Sequence, residues 1–390
     1  MVLVKKTQFI QSLKHKGVFV VKKFKKIVLP VLCVMLVAAF FAPGVLAAPR
    51  ESLKIGILTT SGVDDGSFGQ DCYNGILQYL NENPCCTVTP VYEPDFDRVL
   101  QATQDIIADY DALVLPGFNF AGVGAIARYN PETIVILVDI GPVDEEGNPV
   151  ELENVYSMLF KEQESGFFAG IAAALETKTG KVGFVGGMAF PAVVNYQFGF
   201  YSGVNYANKH LGANAEIVEL PSYAGTDTSG TPVGGNYVGG FADEATAKVV
   251  GAALINQGVD VLFVAAGASG NGAFTAAKEA DDVWLIGCDV DQYDLGAKGD
   301  GNIILTSALK VMNINIARQL QAIKDGTFAG MNVVLGADTD STGFVSAPGR
   351  HNLSDSTLEP MNKAYDLLKA GEIVPAANFN GHAPDDFPGL

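Results

Sequence analysis

The stretch Leu53-Lys-Ile-Gly-Ile-Leu-Thr-Thr-Ser-Gly-Val-Asp-Asp-Gly-Ser-Phe-Gly-Gln70 decides how this chain is read. Its first half is an apolar run of strand length, and its second half a small, polar, glycine-containing turn that reopens as a helical pattern at Phe68. A strand that ends this way places backbone N–H groups and one aromatic ring at the carboxyl edge of a sheet. Open α/β sheets bind small molecules along that edge. Asp64, Asp65 and Ser67 also admit a second reading, in which they cap the helix that follows and do nothing else.

Outward from this point the same rhythm repeats. Apolar runs of strand length recur at 112–115, 134–138, 181–185, 259–265, 283–287 and 303–309, each separated from the next by helical periodicity. Short apolar strands alternating with helices predict parallel βαβ units, an α/β fold. Several runs end alike, in Pro116-Gly-Phe118, Asp139-Ile-Gly141, Gly186-Gly-Met188, Ala266-Gly-Ala-Ser-Gly-Asn-Gly272 and Gly287-Cys-Asp289. These ends are expected to gather on one edge of each sheet. Between Ser222 and Gly240 the composition shifts to Gly, Ser and Thr, which predicts a surface insertion, and the tail from Pro375, through Asn378-Phe-Asn-Gly381, reads as irregular.

Residues 1–47 carry eight lysines and no acid, then an apolar stretch from Ile27 to Phe41, then small residues at Val45 and Ala47. The pattern is that of a cleavable export signal and not of a spanning helix. Cys33 follows Leu32 inside the apolar stretch, not the small residue that lipid attachment requires, so a free exported protein is expected, in the periplasm or another extracytoplasmic space. Loss of those lysines takes the formal net charge from −18 to −26. A chain this acidic has no electrostatic attraction to nucleic acid or anionic lipid. The remaining length, about 340 residues, implies two domains.

Cys72, Cys85, Cys86 and Cys288 fit no zinc-site spacing, and Cys72 and Cys85 would lie about 18 Å apart along a helix, too far for a disulfide. The histidines at 15, 210, 351 and 382 are too scattered for a metal site or a catalytic pair. No G-x-S-x-G elbow is present, and Gly267-Ala-Ser-Gly-Asn-Gly272 lacks the G-x-G-x-x-G dinucleotide spacing. The expectation is therefore of no enzyme, no cofactor and no bound metal.

Thr59 to Gln70 resembles the V-T-D-x-x-x-x-D-D-x-S-F-N-Q signature of the basic membrane protein family, the nucleoside-binding solute receptors of bacterial ABC transporters. Further stretches agree in order: Phe160-Lys-Glu-Gln-Glu-Ser-Gly-Phe-Phe-Ala-Gly170, Gly183-Phe-Val-Gly-Gly-Met188, Tyr237-Val-Gly-Gly-Phe241, Asn256-Gln-Gly-Val-Asp-Val261, Ala265-Ala-Gly267, Gly287-Cys-Asp-Val-Asp-Gln292 and Leu305-Thr-Ser-Ala-Leu-Lys310. The resemblance implies a type I periplasmic binding fold, two doubly wound lobes joined by three hinge crossovers and closing on a ligand. Its implied boundaries are a signal peptide at 1–47, one lobe at 48–157 plus 309–335, and a second at 158–308 plus 336–390.

By the same resemblance, Phe68 and Phe241 would stack on the two faces of a purine, Asp289 and Lys310 would bind ribose hydroxyls, Gly267 would admit the ligand close to the backbone, and Asp139 would hydrogen-bond from the opposite side. Thr60 and Asp64 fall in the base-recognition corner, where the chain departs from the family. Thr60 stands where the pattern has Asp, the loop to Asp64 is one residue shorter, and Gly69 replaces Asn. A neutral hydroxyl cannot make the charge-assisted bonds of a carboxylate. The ligand end that reads sugar is thus intact and the end that reads base is altered, leaving a nucleoside, a related heterocycle or a non-nucleoside molecule as ligand. The expected role is a monomeric receptor for an ABC permease in the membrane; a sensor of the same fold serving a membrane signalling protein is the alternative.

Overall fold

The computed structural model of the protein describes residues 49–377 and Pro384. The expected signal segment with Cys33, and the stretch Asn378–Gly381, lie outside the described residues. Two six-stranded sheets organise the rest. The first contains β1 (Lys54–Thr59), β2 (Thr87–Tyr92), β3 (Ala112–Pro116), β4 (Ile134–Val138), β5 (Val155–Phe160) and β15 (Met331–Leu335), in the order β15-β5-β4-β3-β1-β2 with every pairing parallel. The second contains β6 (Lys181–Gly186), β7 (Glu216–Ile217), β10 (Val261–Ala265), β11 (Trp284–Asp289), β14 (Ile304–Lys310) and β16 (Thr342–Phe344), ordered β16-β14-β11-β10-β6-β7. Only β16 in that sheet runs antiparallel to its neighbour. Two small hairpins, β8–β9 (225–226 with 232–234) and β12–β13 (297–298 with 301–302), complete the strands.

Central strands such as β3 and β4 are buried at every residue, because helices cover both faces of each sheet. On one face of the first sheet Ile55, Ile57, Val114 and Ile136 pack with α1 (Phe68–Glu82) and α8 (Met312–Asp325). On the other, Leu58, Leu113, Leu115 and Leu137 meet α2 (Val99–Ile106) and α3 (Val123–Ala127). The second sheet repeats the scheme: Phe184, Phe263 and Ile286 face α4 (Glu162–Glu176), α5 (Pro191–His210) and α9 (Asp355–Lys369), while Leu262, Val264 and Leu285 face α6 (Glu244–Asn256) and α7 (Gly270–Glu279). Alternate residues of one strand therefore serve opposite cores, the pattern of a doubly wound sheet.

The chain passes from the first sheet to the second between β5 and α4, returns between β14 and α8, and crosses again between β15 and β16. The first turn of α4 ties these passages together. Glu164 accepts from Ala337 N (2.7 Å) and Thr342 Oγ1 (2.5 Å), and Ser165 Oγ donates to Leu309 O (2.7 Å) while accepting from Gly343 N (3.0 Å). Helices α4 and α5 then run in backbone contact. A Cβ on Gly166, Gly170, Gly199 or Gly203 would lie 2.0–2.4 Å from a carbonyl oxygen of the facing helix.

Three strands of the first sheet escape the sequence periodicity, as do the short β7 and β16 of the second. β2 contains Pro90 and is mostly exposed at a sheet edge, where proline is tolerated; β15 is the opposite edge; β5 has its apolar run broken by Tyr156 and Ser157. The expected surface insertion is also only half right. The β8–β9 hairpin is on the surface, but Asn236 and Tyr237 are buried: Asn236 Nδ2 donates to Phe184 O and Val218 O, and Tyr237 packs on Phe184. The four described cysteines are free.

Candidate functional site

The carboxyl ends of the two sheets enclose a cavity of about 750 Å³, its mouth included. Its walls are drawn evenly from both. The first sheet's half contributes Thr60 and Ser61 after β1, Phe68 at the start of α1, Pro116 to Asn119 after β3 and Asp139 after β4; the second contributes Phe190, Tyr196, Phe241, Gly267, Asp289 and Lys310. Seven of the eight residues expected from the sequence thus come together: Thr60, Phe68, Asp139, Phe241, Gly267, Asp289 and Lys310.

Asp64 does not join them. It is exposed and borders a separate depression with Val63, Pro90 and Tyr92. Its neighbour Asp65 lines the cavity instead, with its carboxylate turned onto backbone N–H groups of Ser67 (3.0 Å), Gly69 (2.9 Å) and Gln70 (3.0 Å) and onto Ser61 Oγ (2.6 Å). These are the orphan donors at the start of α1, so helix capping is the role that holds for Asp65. It also fixes the loop that presents Phe68.

The charged end of the cavity is built around Lys310, whose side chain is 3 % exposed. Its ammonium donates to Asp139 Oδ2 at 2.6 Å and lies 3.4 Å from Asp289 Oδ1 and 4.7 Å from the centre of the Phe68 ring. Burial alone pulls the lysine down, but the carboxylates of Asp139, Asp289 and Glu162 outweigh it and hold its pKa well above normal. Burial raises Asp139 despite Lys310, and pushes Glu162 up to about 8, with the charge of Asp139 adding to it. Asp71, behind the site, is raised by burial to about 7. Neither Asp139 nor Asp289 acts as a helix cap. Asp289 accepts from Tyr196 Oη (3.0 Å) and, across the two halves, from Ser67 Oγ (3.1 Å).

Both aspartates have left-handed backbone, φ 69° at Asp139 and 66° at Asp289. Such conformations are uncommon outside glycine and cluster at functional sites, with Asp among the residues that tolerate them. They turn each carboxylate off its strand end into the cavity. The bond inventory of Asp139 is incomplete: its Oδ1 is buried without a hydrogen-bond partner, and so is Nδ2 of Asn119.

The opposite end is aromatic. Phe190 touches three rings, with centres 5.0 Å from Phe118, 5.8 Å from Phe241 and 6.2 Å from Phe96. Phe241 lies over Gly187, where a Cβ would stand 2.4 Å from its ring atoms. Sequence reasoning missed Phe96, Phe118, Asn119, Phe190 and Tyr196. Phe118 and Phe190 had a signal, since each follows a strand end of the kind already noted, and Phe190 directly precedes Pro191 at the start of α5. Tyr196 lies inside a helix and had none.

Two doubly wound lobes, three crossovers and a polar-to-aromatic cavity between strand ends define a solute-binding protein of the type I periplasmic fold. Among solved structures, an ABC transporter solute-binding protein from Aeropyrum pernix K1 superposes with a TM-score of 0.70 at 23% identity, over 85% of this chain and 94% of that one. A solute-binding protein of an ABC transporter system from Conexibacter woesei gives 0.59 at 19% identity, over 83% and 99%. The family model described as ABC transporter substrate-binding protein PnrA-like matches residues 52–220 and 231–373, and the chain belongs to that family of solute receptors, which are not enzymes. The unmatched segment falls at the β8–β9 hairpin. Relatives include the ABC transporter nucleoside-binding protein BmpA of Lactococcus lactis, 29% identical over 75% of this chain and 81% of the relative, and basic membrane protein A2 of Borrelia garinii, 30% identical over 76% and 80%. No helix among the described residues is long and apolar enough to cross a membrane.

Proposed function

We propose that the protein is an exported, monomeric receptor of an ABC importer that binds a nucleoside or closely related heterocyclic riboside between its lobes, whose expected bounds shift to the strand ends: one holds residues 49–160 and 311–335 and the other 161–310 and 336–377. The observation that carries this reading is the pairing of a buried, unpartnered Asp139 Oδ1 beside Lys310 with a phenylalanine cluster at the far end of the same cavity. Asp139, Asp289 and Lys310 take vicinal hydroxyls, the carboxylates as acceptors and the ammonium as donor. Flat rings suit the base, at ~1–3 kcal/mol per stacked base. Gly267, in left-handed backbone, lets the ligand approach the main chain. Thr60 borders the base without a charge.

Closure is the mechanism. A ligand that touches both halves stabilises only the closed arrangement and shifts the population towards it. The Ser67–Asp289 bond and the bond from Gln292 Nε2 to Gly66 O (3.1 Å) are contacts that such closure forms. Three carboxylates and one ammonium line the cavity, a balance that disfavours an added phosphate. Mass spectrometry of small molecules released on denaturing the purified protein, with a thermal-shift panel of nucleosides and their 5′-monophosphates, tests the reading. A released nucleoside or base, or stabilisation by nucleosides over monophosphates, is expected; a different compound, or no stabilisation by any nucleoside, overturns the ligand assignment.

A further inference from the structure

We propose that Gln292 is a positioning residue that sets how long a ligand is held: it grips the opposite lobe across the closed cleft without touching the ligand, so that its loss speeds the release of every ligand by a common factor. The inference rests on the riboside reading and on closure as argued above, and adds to them the residue that holds the lobes together.

Gln292 follows β11 in the second lobe and is 7 % exposed. Three features fix it there. Its Oε1 accepts from Cys288 N at 2.9 Å, and its own N donates to Ser307 Oγ at 3.1 Å. Gly287 leaves room for this fold-back, since a Cβ there would stand 2.8 Å from Oε1. A backbone N–H can only donate, so the branch facing Cys288 N is the oxygen and the other is the nitrogen. That nitrogen crosses the cleft and donates to Gly66 O at 3.1 Å.

Gly66 belongs to the turn between β1 and α1, the turn that presents Phe68 to the cavity. Its carbonyl is a ready acceptor, because Gln70 N, the donor one helical turn on, is turned to Asp65 Oδ1 instead. Leu295 of the second lobe covers the same residue, with Cδ1 3.5 Å from where a Cβ on Gly66 would stand. Neither Gly66 nor Gln292 lines the cavity. The neighbouring bond from Ser67 to Asp289 spans the same gap, but Asp289 also faces the cavity, so Gln292 is the residue that separates holding the lobes from holding the ligand. A bond made only after closure slows reopening and leaves encounter with the open form unchanged.

Two substitutions isolate the bond. Gln292→Glu keeps an oxygen for Cys288 N and sets a second oxygen against Gly66 O, whereas Gln292→Met removes the amide without adding charge. Surface plasmon resonance with adenosine, inosine, cytidine and uridine as probes reads both rate constants. For each nucleoside that binds, both variants should raise koff at least about fivefold, by a factor that agrees among nucleosides to within about twofold, with kon within about twofold of the wild type. A cooperative ligand-free melting transition shows that a variant folds, and should one fail to fold, the other decides. An unchanged koff, a factor that varies with the base, or a loss carried by kon overturns the role of Gln292 and leaves the riboside reading standing. Binding of no nucleoside overturns both.

Discussion

Lys310 Nζ, on the last residue of a strand in the second sheet, donates to Asp139 Oδ2 at 2.6 Å, and Asp139 follows the last residue of a strand in the first sheet. A single ion pair thus joins the carboxyl ends of both sheets at the point where the chain next crosses back. Its members are buried, so its value lies less in Coulomb attraction than in the penalty for breaking it.

Lys310→Met removes the ammonium and leaves Asp139 and Asp289 buried near one another without a cation. A loss of about 3–5 kcal/mol is expected in urea unfolding at pH 7.5. Protonation relieves uncompensated carboxylates, so the deficit should shrink when the measurement is repeated at pH 5. A deficit independent of pH would mean that packing, not charge, is what the substitution disturbs.

Asp71 and Glu162 give a second pH dependence of their own. Folding raises their pKa values to about 7 and about 8, so between about pH 4 and 8 the folded chain holds protons that the unfolded chain has released. Their contribution is fully present below the unfolded values and is lost as pH rises through the folded ones. The melting temperature of the ligand-free protein should therefore fall by at least about 3 °C from pH 5 to pH 8.5. The double variant Asp71→Asn, Glu162→Gln, fixed in the neutral form, should flatten that slope; an unchanged slope would place its origin elsewhere.

What the sequence disclosed follows from local physics. The β1 to α1 turn, the apolar central strands and the strand-end aspartates were legible because burial on both faces writes a continuous apolar run and ends it in a turn residue. β2 and β15 were not, since an edge strand needs no such run. Choosing Asp64 over Asp65 was undecidable locally: both precede the helix, and only the path of the loop turns one onto the backbone and the other to solvent. Phe96 and Tyr196 entered the site through tertiary packing, as did the close pass of α4 and α5.

That pass is set by glycine. A Cβ at Gly203 would lie 2.0 Å from Phe167 O, with Gly170 Cα 2.9 Å away, so neither helix can yield without moving its backbone. Gly203→Ala is expected to cost roughly 1–3 kcal/mol by overpacking. Because α5 also carries Tyr196 and starts beside Phe190, ligand affinity should fall as well. Denaturant unfolding with ligand titration checks both, and a neutral result in unfolding would show that the helices separate freely.

Asp289 is where closure and recognition meet. Its carboxylate accepts from Ser67 of the opposite lobe at 3.1 Å and from Tyr196 at 3.0 Å, and sits 3.4 Å from Lys310. Alanine at this position would confound two effects, because φ 66° strains a side chain that cannot hydrogen-bond locally, whereas asparagine, like aspartate, tolerates left-handed backbone. Asp289→Asn therefore isolates the charge. It should weaken binding of a ribosyl ligand by more than about 1 kcal/mol in calorimetric titration, the scale of a hydrogen bond to a charged group. It should weaken the 2′,3′-dideoxy analogue far less, since that ligand brings no hydroxyl pair for the carboxylate to accept. Equal losses for both ligands would assign Asp289 to holding the lobes together and remove it from contact with the sugar.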